Sequence, residues 1–191
     1  YNFASYIIIA IYIAVIGVIM SDFTNKNIAD RMKMASKKFF KFNMEIYLGQ
    51  LTVAALITLV FILGSVGIKW RDIGGVNFSK HLINIIVFSF SILCLTFLIN
   101  NITRNKFVIN GLSTALALGV SFISGVMVPQ QFLGDKVLAL AKFFPTYYYV
   151  RINDMNINSL LDIRYELSMQ LLFALAFLLM GLYFSKVRQR V

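Results

Sequence analysis

The chain has 191 residues, of which 59% are hydrophobic and 14% charged, and its formal net charge at pH 7 is +10. This balance lies outside the range of soluble domains and indicates a membrane protein. With one cysteine, Cys94, and one histidine, His81, the chain cannot form an internal disulfide, and a metal site built from His and Cys ligands is not expected.

Five apolar runs without charged residues follow one another along the chain. Each is close to the roughly 20 residues that a helix needs to cross a hydrocarbon layer about 30 Å thick. We therefore predict an all-α polytopic membrane protein with a single transmembrane domain over residues 1–191. The predicted spans are residues 3–20, 46–68, 82–99, 108–128 and 167–185.

The odd number of spans places the two ends of the chain on opposite sides of the membrane. A protein that starts in the cytoplasm needs one more helix before Tyr1, so six helices are expected in the full protein.

No Asp, Glu, Lys or Arg lies within a predicted span, whereas carriers driven by ions usually need an ionisable group at membrane depth. The sequence also has no GxxxxGK[ST] phosphate loop. Energy for transport is therefore expected from another subunit.

The segment between the first two spans, residues 25–45, is basic and has a helical pattern. Apolar residues recur at steps of four and three along one face, and charged residues occupy the opposite face. The apolar stripe is Ile28, Met32, Ala35, Phe39, Phe42 and Ile46, and the charged face is Asp30, Lys33, Lys37, Lys41 and Glu45. Two interpretations remain open. The helix either lies on a leaflet with its lysines at anionic headgroups, or docks into a groove of a cytoplasmic protein.

The distribution of Lys and Arg predicts which side of the membrane each loop faces, because cytoplasmic loops retain these residues. Eleven of the 18 lie on one side, in the first loop, the third loop and the C-terminal tail, and seven lie on the other. The seven are Lys69, Arg71, Lys80, Lys136, Lys142, Arg151 and Arg164. We therefore predict that residues 25–45 and the C-terminus are cytoplasmic.

The longest stretch outside the predicted spans contains the only two prolines, Pro129 and Pro145. They bracket a helix-compatible piece that is too short to cross the membrane. Residues 129–150 are therefore predicted to return partway into the outer leaflet or to lie along it. The consecutive tyrosines Tyr147, Tyr148 and Tyr149 either anchor this segment at the headgroups or contribute to a gate.

Small residues at intervals of four predict close approach of neighbouring helices. The fourth span has two such rows, and the first span has one pair. The residues are Gly111, Ala115 and Gly119, then Ala117, Ser121 and Gly125, and on the first span Ala10 and Ala14. Isolated polar residues within the spans are expected to form hydrogen bonds between helices. They are Asn84, Ser89, Ser91, Thr96, Asn100, Asn110 and Gln170.

Two stretches resemble the permease subunits of ABC-2 type transporters, which have the type V exporter fold. FISGVMVPQQFLGDKVLALAKFFPTYYYV, residues 122–150, is similar to that family's span ending in Ser-Gly-x-x-x-Pro, followed by a short outer helix and then by Pro and aromatics. NIADRMKMASKKFFKFNMEIYLGQL, residues 27–51, resembles its first cytoplasmic loop, in which a basic stretch leads to Leu-Gly at the next span. The five predicted spans would correspond to the family's helices two to six.

The resemblance implies a dimer of permease subunits that binds two separate ATPase subunits. ATP and magnesium would be held by the partner chain, and no cofactor is expected in this one. The implied ATPase contacts, on a coupling helix within residues 25–45, are Ile28, Arg31, Met32, Lys33, Ala35, Ser36 and Lys37, with a connecting helix from Phe39 onward. The implied residues of an outer re-entrant gate are Pro129, Phe132, Phe144, Pro145, Tyr147, Tyr148 and Tyr149.

The sequence therefore predicts a non-catalytic permease subunit of an ATP-driven exporter in a bacterial cell membrane. Its expected partners are a cytoplasmic ATPase, a second permease in a homo- or heterodimer, and membrane lipids, without nucleic acid. The alternatives are an ATP-independent carrier or channel, a membrane enzyme, and a structural or immunity protein. The enzyme is disfavoured because Asp154, Asp162 and Glu166 are expected to be solvated loop charges rather than a catalytic group.

Overall fold

The structure, a computed structural model, describes residues 1–23, 39–68, 76–157 and 159–189. Within these ranges the protein is helical and contains no strand. Five of the helices are long and apolar enough to cross a membrane. The prediction of an all-α multi-pass membrane protein with five spans is therefore confirmed for the described part of the chain.

The helices follow the predicted order. The first span, α1, runs from Asn2–Ile11 through a π-helical stretch, Tyr12–Ile16, into Gly17–Phe23. The other spans are α2 (Phe39–Ile68), α3 (Val76–Ile102), α4 (Lys106–Ser124) and α7 (Arg164–Gln189). Two short helices, α5 (Asp135–Ala141) and α6 (Pro145–Asp154), lie between α4 and α7, with 3-10 turns at Gln130–Phe132 and Leu160–Ile163.

The observed helices are mostly longer than the predicted spans, because polar residues at their ends continue the helix. α3 begins at Val76 rather than at residue 82, and α7 begins at Arg164 rather than at residue 167. The fourth span is shorter at its end, since α4 stops at Ser124 instead of continuing to residue 128.

The second span and the end of the predicted connecting segment belong to one helix. α2 runs without a break from Phe39 to Ile68, so residues 39–45 continue directly into the span. The predicted coupling residues fall within residues 24–38, outside the part of the chain that the structure describes. They are Ile28, Arg31, Met32, Lys33, Ala35, Ser36 and Lys37.

α3 is the centre of the bundle and α2 lies at its edge. Of the apolar windows of the five spans, that of α3 is the most buried, at 56%, and that of α2 the least, at 11%. Ile85 and Phe88 of α3 belong to the same buried core as Tyr12 of α1. α7 packs closely along α3, because a Cβ on Gly181 would lie only 2.6 Å from the ring of Phe97.

α1 and α4 also pack closely, and Ala10 marks a close approach, as its spacing predicted. The Ser113 hydroxyl of α4 donates a hydrogen bond of 2.9 Å to the Ala10 carbonyl. A Cβ on Gly17 would lie 2.9 Å from the Ile109 side chain. Small residues at these positions therefore let the two backbones approach.

The two predicted rows on α4 have different surroundings. Ala117 and Ser121 are buried within the chain, whereas Gly111, Ala115 and Gly119 are exposed. No atom of the described residues lies within 4 Å of a Cβ built on Gly111 or Gly119. The exposed row is thus left open to lipid or to another subunit.

α2 exposes many large apolar side chains, and Tyr12 of α1 joins it to the bundle by hydrogen bonds. Leu56, Val60 and Leu63 are each more than half exposed, at 60%, 67% and 59%. The Tyr12 hydroxyl donates to the Ala54 carbonyl at 2.8 Å and lies 2.6 Å from Thr58 Oγ1. α2 is therefore the span with the weakest attachment to the rest of the described chain.

Candidate functional site

The predicted gate residues lie in residues 129–154, called here the end segment, which crosses one end of the bundle. A turn at Gly125 leads into it. Gly125 has a φ of 98°, in the left-handed region that glycine adopts at low cost, and it ends α4. The Gln130 side-chain amide then donates to the Ser124 carbonyl at 2.8 Å and to the Tyr147 carbonyl at 3.2 Å. One glutamine thus joins the end of α4 to the start of α6.

Gly125 differs in role from its prediction as a helix-packing residue. It lies beyond the last residue of α4, and a Cβ there would meet Gln130 Cγ at 2.4 Å. Because it has no side chain, Gly125 allows the chain to turn here and Gln130 to pack closely against it. The Ser-Gly-x-x-x-Pro pattern in the sequence corresponds to this turn.

The prolines bracket a helix, as the sequence predicted, but the helix is shorter than the interval between them. Between them the chain forms a 3-10 turn and then α5, with Gly134 in an extended conformation between the two. Pro145 is the first residue of α6, a position where its missing N–H and fixed φ are favourable. The end segment therefore contains two short helices, and the tyrosines belong to the second.

The three consecutive tyrosines are buried in the protein, which differs from anchoring at lipid headgroups. Tyr147, Tyr148 and Tyr149 are 6%, 4% and 0% exposed. The Tyr149 ring packs on Phe88 of α3 with centroids 4.5 Å apart, and the Tyr148 ring lies 6.1 Å from Phe173 of α7. The rings hold α6 between α3 and α7. Sequence periodicity could not reveal this arrangement, because three consecutive tyrosines show no helical spacing.

Burial also fixes the protonation of two of these tyrosines. Desolvation raises the pKa of Tyr149 far above its ordinary value, and desolvation is also the largest cause of the raised pKa of Tyr148. A tyrosine is neutral at physiological pH in any case, and the raised pKa keeps both hydroxyls neutral donors at higher pH as well. The Tyr149 hydroxyl donates to the Tyr1 carbonyl and the Tyr148 hydroxyl to the Lys142 carbonyl, each at 3.2 Å.

The remaining predicted gate residues face outward to different degrees. Phe132 is 73% exposed, Phe144 is half-buried, and Pro129 is exposed while Pro145 is buried. Phe143, which the sequence analysis did not select, is 72% exposed. The residues just before and just after α5 therefore expose apolar side chains, whereas α6 is packed against other helices.

A chain of hydrogen bonds joins α6 to α3 and α7. Asn84 Nδ2 donates to the Tyr149 carbonyl and to Asn153 Oδ1, each at 2.9 Å. Gln170 Nε2 of α7 donates to Asn84 Oδ1 at 2.9 Å. The prediction that Asn84 and Gln170 bond between helices is confirmed. Thr96 instead bonds the carbonyl of Ile92 in its own helix, at 2.9 Å.

Lys80 lies just before the predicted span 82–99, and the structure shows that the helix continues through it. It lies one turn before Asn84, inside the apolar helix Asn77–Ile102, and is 2% exposed. Its ammonium donates to the carbonyls of Asn153, at 3.3 Å, and Met155. These carbonyls end α6, where a cation is stabilised by the helix dipole. A lysine counted as a loop charge is therefore a buried helix cap.

Three acidic residues were predicted to be solvated. In the structure two of them contact a side chain of another helix, and the third caps a 3-10 turn. Glu166 is 3% exposed and lies 3.3 Å from Arg151 of α6. Asp154 accepts a 2.9 Å hydrogen bond from Asn2 of α1. Asp162 belongs to a capping box with Ser159. Asp154 and Asp162 are exposed, as predicted, whereas the burial of Glu166 beside Arg151 contradicts the prediction of solvation.

Polar groups of the end segment attach α6 to the neighbouring helices. Several of these groups bond backbone carbonyls or one another, and they connect α6 to α3, α4 and α7, which offsets part of the cost of burying polar atoms. Within the described residues no three His, Cys, Asp or Glu side chains are placed to hold a metal ion. These hydrogen bonds tie α6 to α3 and, through Asn84, to α7.

The chain was compared with protein-family models, with curated proteins and with solved structures. None of them matches it.

Proposed function

We propose that this chain is the membrane permease subunit of an ATP-driven exporter of the ABC-2 type. The observation that carries the proposal is the continuity of α2, which runs without a break from residues 39–45, the end of the predicted connecting segment, into an apolar span. A force applied to that segment would be transmitted along a rigid helix. The weak attachment of α2 to its neighbours lets such a helix move relative to α1 and α3.

The proposed cycle uses a separate ATPase bound at residues 25–45. ATP binding closes the ATPase dimer, pushes the coupling helices and switches a pathway between two permease subunits from inward to outward access. In the proposed orientation the basic segment and the C-terminus are cytoplasmic, and the end segment is the outer re-entrant gate. The burial of Lys80 supports this orientation, because it removes one cation from the loops counted as external.

Reversing three charges in the basic segment tests the proposal. The variant Arg31→Glu, Lys33→Glu, Lys37→Glu is expected to lose stimulation of the co-purified ATPase, because the acceptor groove recognises a basic helix. The matched control reverses Lys136, Lys142 and Arg164, three exposed cations on the opposite side, and is expected to keep it. Stimulated ATP hydrolysis at the wild-type level in the first variant would reject this loop as the coupling element.

An ATP-independent carrier or channel is the second candidate, and the buried Lys80 and Glu166 favour it. Ionisable side chains inside apolar helices mark ion pathways in many membrane proteins. Both side chains are nevertheless occupied by structural partners at one end of the bundle. Uptake into proteoliposomes that follows an ion gradient, without any ATPase present, would select this function over the first.

A further inference from the structure

Two neighbouring crevices flank α2 where it leans on the bundle. One, of about 340 Å³, lies between α2, α1 and α3, and the other, of about 220 Å³, lies between α2, α3 and α7. Leu51, Phe90 and Leu93 line both crevices, which therefore form a single groove, called here the α2 groove. Its walls are almost entirely apolar, and Leu51 and Phe90 are also exposed at its mouth.

One end of the α2 groove contains a buried polar group that lacks a partner. Gln50 is 6% exposed, yet its Nε2 makes no hydrogen bond to any described residue. Farther along, Ser89 Oγ has no hydrogen bond either, but it lies beside the Tyr12 hydroxyl. Because a buried amide donor without an acceptor is unfavourable, Gln50 indicates an acceptor that comes from outside the described chain.

The α2 groove has the length of one bilayer leaflet. Gln50 lies near the start of the α2 span, opposite Phe97 and Leu182 near the ends of α3 and α7, so it is close to one face of the membrane. The groove continues along α2 to Ile62. At ~1.5 Å per residue this distance is about 18 Å, against about 15 Å for half of a hydrocarbon core.

We propose that the α2 groove binds one acyl chain of a bilayer glycerolipid, from the leaflet at the Gln50 end. The ester carbonyl, which stands at the top of an acyl chain, accepts the hydrogen bond that Gln50 Nε2 offers. The chain then lies along Leu51, Leu93 and Ala55 toward the middle of the membrane. The groove opens sideways between exposed apolar residues, so lipid reaches it directly. The site needs only a membrane-spanning chain and is independent of the proposed function.

Photolabelling in nanodiscs tests the site in the wild-type protein. The probe is a phosphatidylcholine with a diazirine in the middle of one acyl chain, and labelled residues are identified by mass spectrometry. Leu93 and Ala55 are expected to be labelled at least about fivefold more than Leu56 and Val60, a preference of ~1 kcal/mol. Leu56 and Val60 are 60% and 67% exposed but lie outside the groove. Equal or stronger labelling of these two residues would overturn the proposal.

Two variants separate the groove from the surrounding lipid. Ala55→Trp fills the groove, and Gln50→Leu removes the donor at nearly constant size; each is expected to reduce labelling of Leu93 by about fivefold. Leu56→Trp adds the same bulk one residue away, outside the groove, and is expected to leave the labelling unchanged. If Ala55→Trp impairs folding, Gln50→Leu decides. Undiminished labelling of Leu93 in Gln50→Leu would exclude the ester contact and overturn the proposal.

Discussion

Replacing Lys80 with methionine is expected to lower the free energy of unfolding by about 3 kcal/mol. Methionine keeps the length and apolar character of the side chain but cannot donate to the carbonyls of Asn153 and Met155. The end of α6 would lose both its hydrogen bonds and the favourable charge at its dipole. Unfolding in mild detergent, followed by circular dichroism or by a thiol-independent thermal shift, measures the change.

The matched control for Lys80 is Lys136→Met. Lys136 is exposed on α5 in the same end segment, so its replacement should change stability by no more than about 0.5 kcal/mol. A Lys80→Met protein as stable as the control would show that the ammonium contributes nothing to the attachment of α6. The assignment of Lys80 as a cap would then be wrong.

Gly125→Ala is expected to destabilise the protein by about 2 to 4 kcal/mol. The φ of 98° penalises any residue with a Cβ, and here the Cβ would also displace Gln130 from a distance of 2.4 Å. Gln130 would then lose its hydrogen bonds to the carbonyls of Ser124 and Tyr147. Both effects act at the turn from which the end segment begins.

Gly119→Ala is the control for this substitution. Gly119 lies within α4, and among the described residues no atom beyond its own stretch of helix lies within 4 Å of the position of its Cβ. Alanine there should raise stability by up to ~1 kcal/mol, since it is the better helix former. The same melting experiment compares the two variants. Equal stability of the Gly125 and Gly119 variants would contradict the role assigned to the turn.

The number, order and type of the spans could be predicted from the sequence. A run of about 20 apolar residues has few alternatives to a transmembrane helix, because every backbone polar group in lipid must be paired within the segment. That Asn84 and Gln170 bond between helices could be anticipated for a similar reason, since an amide inside an apolar helix needs a partner, but the sequence did not indicate that they bond each other. Neither inference requires knowledge of which helices are neighbours.

The features of the end segment depended on contacts that are distant in the sequence. Lys80 reads as a loop cation until α6, more than seventy residues later, places two carbonyls beside it. The burial of Tyr147, Tyr148 and Tyr149 likewise depends on α3 and α7. The burial of Glu166 depends in the same way on Arg151, which the fold brings next to it. Composition and periodicity describe each helix separately and carry no information about such pairs.

The proposed coupling requires the first loop to face the cytoplasm. Labelling of two engineered cysteines in intact cells tests this orientation most directly. The buried Cys94 is first replaced with alanine, and Lys37→Cys and Phe143→Cys are then made separately. A membrane-impermeant maleimide is expected to label the Phe143 position in intact cells, and the Lys37 position only after the membrane is permeabilised. Labelling at position 37 in intact cells, with protection at position 143, would contradict the proposed orientation and with it the coupling to a cytoplasmic ATPase.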